Sequence, residues 1–148
     1  MATVKGVNQA LIDTGGVAQI AAGLRCGRVH VATDTVANLA ATQTGATDVL
    51  KLFGKLPAGA KILMITLMQT GTQTSTISVG TLYSATQFLA AGSTGIQTAQ
   101  AKLDIPCSQY EMGQYVTSGS EDTQITITFA GAVGATGKLY AEVYYTTD

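Results

Sequence analysis

His30 is the only histidine of the chain and therefore the only candidate for histidine-dependent catalysis. A histidine can activate a serine or cysteine nucleophile when a third group orients it. No nucleophile motif accompanies His30. Cys26, His30 and Cys107 could offer ligands to zinc, but their spacing matches no recognised zinc site. We therefore expect no catalytic residue and no metal site among these three.

The nine acidic residues and seventeen glycines also lack the spacing of known sites. No acids follow the EF-hand order, and the pair Glu121 and Asp122 fits either a calcium-binding loop or a solvated turn. A glycosidase needs two carboxylates in one cleft, and nothing in the sequence points to a cleft. No glycine motif of the phosphate-binding kind is present, so no cofactor is expected. The chain is predicted not to be an enzyme.

The tyrosines are the better candidates for contact chemistry. Tyr140 and Tyr144 alternate with apolar residues near the end of the chain, so they lie with Glu142 on one face of a predicted strand. Tyrosine offers a large amphipathic surface and is enriched at protein interfaces. It also stacks on sugars, and on an exposed strand it can simply be ordinary sheet packing. We take Tyr140 and Tyr144 as candidate interface residues, in a group that also includes Tyr145, Tyr110 and Tyr115.

The strand pattern that positions such residues is clearest at 124–129. Ile125, Ile127 and Phe129 alternate with Thr126 and Thr128. Successive side chains of a strand point to opposite faces, so this segment has one apolar face and one hydroxyl face. The hydroxyl face is predicted to be either solvent surface or a sheet face covered by a neighbouring molecule. The scarcity of charge elsewhere favours the second.

Similar patterns recur along the chain and predict an all-β protein. About eight short strands, separated by turns rich in Gly, Thr and Ser, are typical of an antiparallel β-sandwich or barrel. A helix is plausible only at Val36–Ala41, or as a turn near Gln109–Gln114. Pro106 is expected to end one strand. The predicted strands are Gly27–Thr33, Asp48–Phe53, Lys61–Gln69, Thr76–Leu82, Thr86–Ala90, Ala101–Ile105, Gln124–Ala130 and Lys138–Thr146.

The first 26 residues differ from the rest of the chain. Gly15 and Gly16 interrupt any regular element that spans them. We interpret residues 1–26 as an N-terminal arm and residues 27–148 as the β-sandwich domain. Such an arm can become ordered on a partner, and Val4, Val7 and Leu11 would be its contacts. The alternative is a strand and loop packed on the chain's own domain.

Composition excludes some partners. Charged residues make up 11% of the chain and the net charge is −1, against about 25% charged residues in typical soluble domains. The few basic residues are scattered, so no nucleic-acid footprint is predicted. No run of eighteen apolar residues indicates a membrane helix, and without a signal peptide the chain is expected to be made in a cytoplasm. Two explanations fit a surface with so little charge. Either Thr, Ser, Gln and Asn keep it hydrated, or an assembly covers much of it.

Three segments resemble small structural proteins of tailed bacteriophages, in particular capsid decoration or cement proteins. They are the opening Met1–Asn8, the segment Lys55–Leu63 and the segment Ser75–Gly80. The resemblance implies a jelly-roll-like sandwich that binds and stabilises the outer surface of a capsid without catalysis. It implies the major capsid protein and other copies of the chain, as a dimer or trimer, as partners. The implied location is the capsid surface of the virion, and the protein would be made in the host cytoplasm.

Two other functions fit the same residues. A tail or head-tail component of a phage would share the composition and the lack of catalytic residues. A carbohydrate-binding jelly-roll module would use an exposed aromatic platform beside polar groups in a groove. Neither nucleic acid nor a membrane is an expected partner in any of these interpretations.

Overall fold

A computed structural model of the 148-residue chain describes most of the region that follows the N-terminal segment. The described residues are 28–37, 49–71, 75–93, 96, 101–114, 116–117, 120–121, 123–131 and 137–147. Val4, Val7, Leu11 and Cys26 lie outside them, so the arm and its contacts stay a prediction. These ranges contain no helix that is long and apolar enough to cross a membrane.

Two four-stranded antiparallel sheets form the fold. Sheet A has the order β1-β10-β3-β6, and its strands are Val29–Val36, Leu139–Thr146, Lys61–Gln69 and Lys102–Glu111. Sheet B has the order β2-β9-β4-β5, and its strands are Val49–Leu52, Ile125–Phe129, Ile77–Thr81 and Leu89–Ser93. A short hairpin pairs β7, Val116–Thr117, with β8, Ser120–Glu121.

The pairing order makes this sandwich a jelly roll. Leaving the short hairpin aside, the first strand pairs with the last, β2 with β9, β3 with β6 and β4 with β5. Such nested pairs arise when one long antiparallel hairpin is rolled into two sheets, which gives the eight-stranded jelly roll. Two further pairs, β10 with β3 and β9 with β4, complete the sheets. The predicted antiparallel sandwich is thereby confirmed.

The apolar faces of the strands meet between the sheets. Ile125, Ile127 and Phe129 are fully buried, as their alternation predicts. From sheet A, Leu139, Ala141 and Val143 face them and are also buried. The remaining large core side chains are Leu52, Ile62, Ile65, Leu67, Ile77, Val79, Ile96, Ile105 and Met112.

One strand end was predicted wrongly. Pro106 does not stop β6, which continues to Glu111 with Pro106 opposite Met64. A proline is tolerated here because β6 is an edge strand and needs no donor on its free side. The pair Met64–Pro106 is followed by the pair Ile62–Tyr110. Between these two pairs, three residues of β6 lie opposite one residue of β3. Two of those three, Ser108 and Gln109, have φ values of 46° and 58°, which marks a β-bulge.

The two segments for which a helix or turn was plausible, Val36–Ala41 and Gln109–Gln114, have different outcomes. Val36 is the last residue of β1, and residues 38–41 lie outside the described ranges. At the second segment, β6 ends at Glu111 and a turn follows at Met112 and Gly113. The second segment is therefore a strand end followed by a turn, and it is not helical.

The valines of β1 do not face the core. Val29 and Val31 are 55% and 51% exposed, and His30 between them is exposed as well. The inward side of β1 carries Ala32 and Val36, which pack against the core. It also carries Asp34, whose Oδ2 accepts a hydrogen bond from the Phe53 N–H at 2.8 Å. Sheet A is tied to the end of β2 by this contact.

The hydroxyl face of β9 is covered by the chain itself. Thr126 and Ser78 are 1% and 6% exposed within the single chain. At Gly80, the residue paired with Thr126, a Cβ would overlap the backbone of Ser84 and Ala85. The β4–β5 loop therefore lies directly on this face. A covering neighbour is not needed at Thr126, contrary to the sequence-based preference.

Candidate functional site

The two candidate interface tyrosines of the sandwich share one surface, the face of sheet A that points away from the core. Tyr140 and Tyr144 alternate with buried residues of β10, and Glu142 lies between them. Tyr140 is 36% exposed and Tyr144 is partly buried. The predicted grouping of these three side chains on one side of the last strand agrees with this burial pattern.

Strand register adds residues of three other strands to this surface. Tyr140 lies between Thr35 of β1 and Met68 of β3, and Tyr144 lies between Val31 and Met64. We call the whole surface the outer face of sheet A. Its three cross-strand rows are Thr35-Tyr140-Met68-Lys102, Thr33-Glu142-Thr66-Asp104 and Val31-Tyr144-Met64-Pro106.

The polar groups in the middle of this face are held by hydrogen bonds. The Thr66 hydroxyl donates to Asp104 Oδ1 at 2.7 Å, and Lys102 Nζ lies 3.1 Å from Asp104 Oδ2. On the neighbouring strand the Tyr144 hydroxyl donates to Glu142 Oε2 at 2.9 Å. Both carboxylates are thus fixed in position before any partner arrives, which reduces the ordering cost of binding.

Two pKa values on this face shift for the same structural reasons. The hydrogen bond from Thr66, followed by that from Lys102, lowers the pKa of Asp104, because both bonds favour the charged carboxylate. The hydrogen bond to Glu142 and its negative charge raise the pKa of Tyr144, because they favour the protonated phenol. At neutral pH the face therefore carries an ionised Asp104 and a neutral Tyr144.

A shallow depression lies at the centre of the outer face. It measures about 130 Å³ and is lined by Thr66, Met68, Lys102, Tyr140 and Glu142. Met68 is 38% exposed, which is unusual for a large apolar residue on a strand that is flanked on both sides. A large apolar side chain and an aromatic ring beside a charged rim are the features of an interface anchor site.

The other tyrosines of the predicted cluster lie elsewhere. Tyr145 stacks on His30 with ring centroids 5.3 Å apart. Tyr110 meets Phe88 edge to face at 5.2 Å, near the β6 bulge. Tyr115 lies outside the described residues. The five tyrosines therefore do not form one surface.

His30 and Cys107 occupy ordinary structural positions. Besides its stack on Tyr145, His30 places Nε2 3.3 Å from the Thr147 hydroxyl. Cys107 is a free, buried thiol whose pKa is raised to about 12 by desolvation. No group of three metal-ligating side chains occurs within the described ranges.

Sequence reasoning grouped only the β10 residues of the outer face. Met68, Thr66 and Asp104 come from β3 and β6, and only the register places them beside Tyr140 and Glu142. One signal was available: Lys102 and Asp104 alternate with Leu103 and Ile105, which indicates a strand with one polar face. The sheet neighbours of that strand could not be read from its own residues.

Comparison with known proteins gives one informative likeness. No protein-family model and no curated protein sequence matches the chain. A chain of the cyanophage Pam1 capsid asymmetric unit is 25% identical, with a TM-score of 0.60 over 82% of this chain and 86% of that one. The tobacco streak virus coat protein is 8% identical with a TM-score of 0.42, over 81% of this chain and 87% of that one, which is too low to establish a shared fold. The likeness to the Pam1 chain supports a structural protein of the viral capsid class.

Proposed function

We propose that this protein is a non-catalytic decoration or cement protein, which binds and stabilises the outer surface of a bacteriophage capsid. The observation that carries the proposal is the likeness to a chain of the Pam1 capsid, which extends over more than four-fifths of both chains. The matched capsid chain is therefore itself about the size of one such sandwich, rather than a large subunit that contains one. This favours a small capsid protein over a tail component.

The outer face of sheet A is the surface we assign to the capsid contact. It combines the exposed Met68 and Tyr140 with a depression that can receive a partner's side chain. Buried aromatic anchors surrounded by polar groups carry most of the energy of protein interfaces. Two carboxylates, Asp104 and Glu142, stand against one ammonium, Lys102, so this part of the face has a net negative charge. A complementary basic group on the major capsid protein fits it.

The N-terminal arm is the second contact in this proposal. Ordering each arm residue costs about 1–2 kcal/mol of backbone entropy. Val4, Val7 and Leu11 would offset that cost by burying apolar surface on the capsid or on a neighbouring copy. Self-association as a dimer or trimer belongs to the same proposal.

Capsid binding by surface variants tests the assignment. Capsids that lack the protein are mixed with purified wild type or with the double variant Tyr140→Ala, Met68→Ala, and bound protein is measured after sedimentation. We expect the variant to bind at least tenfold more weakly, because it removes the anchors of the depression, while its circular dichroism stays unchanged.

The matched control is Tyr83→Ala. Tyr83 is a similarly exposed tyrosine, at 43%, but it lies in the loop between β4 and β5 of the other sheet. The Tyr83→Ala variant is expected to bind capsids as the wild-type protein does. Equal binding by the double variant and wild type would exclude the outer face of sheet A as the contact. Absence of any wild-type binding to heads would overturn the function itself.

A further inference from the structure

The four edge strands of the sandwich differ in how they are protected against pairing with another chain. The edge strand β6 contains Pro106, an exposed Lys102 and the bulge at Ser108 and Gln109. On sheet B, β2 has four residues, one of them the exposed Lys51, and β5 contains Gly92 with a φ of 91°. Proline, lysine, bulges and short length are the usual means by which proteins block edge-to-edge association.

The remaining edge, β1, has none of these protections along most of its length. Val29–Val36 pairs with β10 in an unbroken register of eight residues, and it contains no proline, lysine or glycine. Among the described residues no strand pairs with its other side. Its side chains on the outer face include Val29 and Val31, each more than half exposed.

The hydrogen bonds of Asp34 show which backbone groups of β1 are available. In an antiparallel pair, alternate residues point their N–H and C=O groups toward the partner strand. The Thr35 N–H bonds instead to Asp34 Oδ1 at 2.7 Å, which places the odd-numbered residues on the free side. Since the Thr35 N–H already has this hydrogen bond, the free backbone N–H donors are those of Val29, Val31 and Thr33.

We propose that β1 pairs antiparallel with β1 of a second copy, about a two-fold axis at Val31. This is the register in which the three free residues satisfy one another: Val31 faces the partner's Val31, and Val29 faces the partner's Thr33. An edge that is its own complement in this way gives an isologous dimer. The two A sheets then join into one eight-stranded sheet.

Charge and apolar contacts fit the same register. Arg28, exposed just before β1, comes to lie opposite Asp34 of the other copy, and opposite charges at paired positions stabilise a ladder. Asp34 keeps spare acceptor capacity, because a carboxylate offers about four lone-pair sites and two are used by Thr35 and Phe53. The valines of both copies meet at the axis, which removes the most exposed apolar side chains of sheet A from water.

Cysteine cross-linking tests the axis directly. In a Cys26→Ser background, Val31→Cys places two thiols across the two-fold, where hydrogen-bonded partners have Cα atoms about 5.5 Å apart, within the roughly 4.4–6.8 Å that a disulfide spans. The matched control Thr35→Cys lies on the same strand and face, but in this register its two copies are roughly 27 Å apart. The buried native thiol of Cys107 is common to both variants.

We expect mild oxidation to convert Val31→Cys to a covalent dimer at least tenfold faster than Thr35→Cys. Equal rates for the two variants, or no dimer from Val31→Cys, would overturn the proposal. A five-residue ladder is smaller than the roughly 1,600 Å² of a standard stable interface, so the wild-type dimer should dissociate on dilution in sedimentation experiments.

A charge substitution provides the second, non-covalent measurement. Val31→Lys brings two ammonium groups together at the axis, and like charges directly opposite destabilise a strand pair. Its dimer should be at least tenfold weaker than that of wild type, whereas Thr35→Lys should dimerise as wild type does. Unchanged association of Val31→Lys would contradict the assigned register. The dimer forms without a capsid, so its failure would leave the proposed capsid function untouched.

Discussion

At the scale of single residues, the least expected feature is a polar side chain in the core. Gln69 is 1% exposed on the inner side of sheet A, and neither its Nε2 nor its Oε1 has a hydrogen-bond partner among the described residues. An unsatisfied buried amide costs stability without contributing to packing. By contrast, the Gln124 side chain donates to the carbonyls of Leu52 and Gly54 at 3.0 and 2.8 Å, where it holds the end of β2.

Replacing Gln69 by methionine should therefore stabilise the protein. Methionine fills a similar volume without polar atoms, so we expect the free energy of unfolding to rise by about 1–2 kcal/mol. Urea denaturation measures the change. The control Gln87→Met alters an exposed side chain and should leave the midpoint unchanged. A destabilised Gln69→Met variant would mean that the amide serves an interaction in the native fold.

Residue patterns on a single strand could be predicted, but the surroundings of each residue could not. The alternation of Tyr140 and Tyr144 with apolar neighbours placed both on the same side of β10. Val29 and Val31 followed the same rule of alternation, yet they lie on the exposed side. Two valines do not reveal which face of an edge strand is inward, because the decision depends on the sheet that covers the other side.

At the scale of elements, the β4–β5 connection shows how a loop takes the place of a neighbouring molecule. The Thr81 N–H donates to the Ser84 carbonyl at 2.8 Å, and the Ser84 N–H donates to the Thr81 hydroxyl at 3.1 Å. The turn is thereby folded back over Gly80. The absence of a side chain at Gly80 is what permits this close approach of backbone to backbone.

Gly80→Ala should be one of the most damaging small substitutions in the chain. Its Cβ would overlap the backbone of Ser84 and Ala85, and overpacking of this kind costs about 1–3 kcal/mol or more. Thermal unfolding measures the loss. Gly131→Ala is the matched control, since a Cβ there meets no atom of the described part of the chain within 4 Å. Equal unfolding temperatures for the two variants would show that the loop does not lie against the strand.

Element boundaries followed from the sequence more closely than element partners did. Lys61–Gln69 was predicted with both ends correct, because a long apolar run between turn signals has few alternatives. The sequence predicts a strand end at Pro106, since proline lacks the donor that an inner strand needs. It lies on an edge strand, where that donor is not required, and edge position is a property of the assembled sheet.

At the scale of the whole molecule, the described strands form a scaffold whose two proposed contact surfaces both lie on sheet A. Its outer face carries Tyr140, Met68 and the fixed carboxylates, and one of its edges is the unprotected strand β1. The hydroxyl face of sheet B is partly covered from within, by the β4–β5 loop. The two proposed contacts, with the capsid and with a second copy, therefore use adjoining parts of one sheet.

The eight-strand sandwich could be foreseen from alternation, whereas the nested strand order needs long-range pairing that no local pattern encodes.

Electron cryomicroscopy of the virus particle that carries this protein tests the central claim most directly. The account predicts density for the sandwich on the outside of the head, with the outer face of sheet A, including Tyr140 and Met68, against the shell. Density for the sandwich on the tail, or on the head with this face turned to solvent, would contradict it.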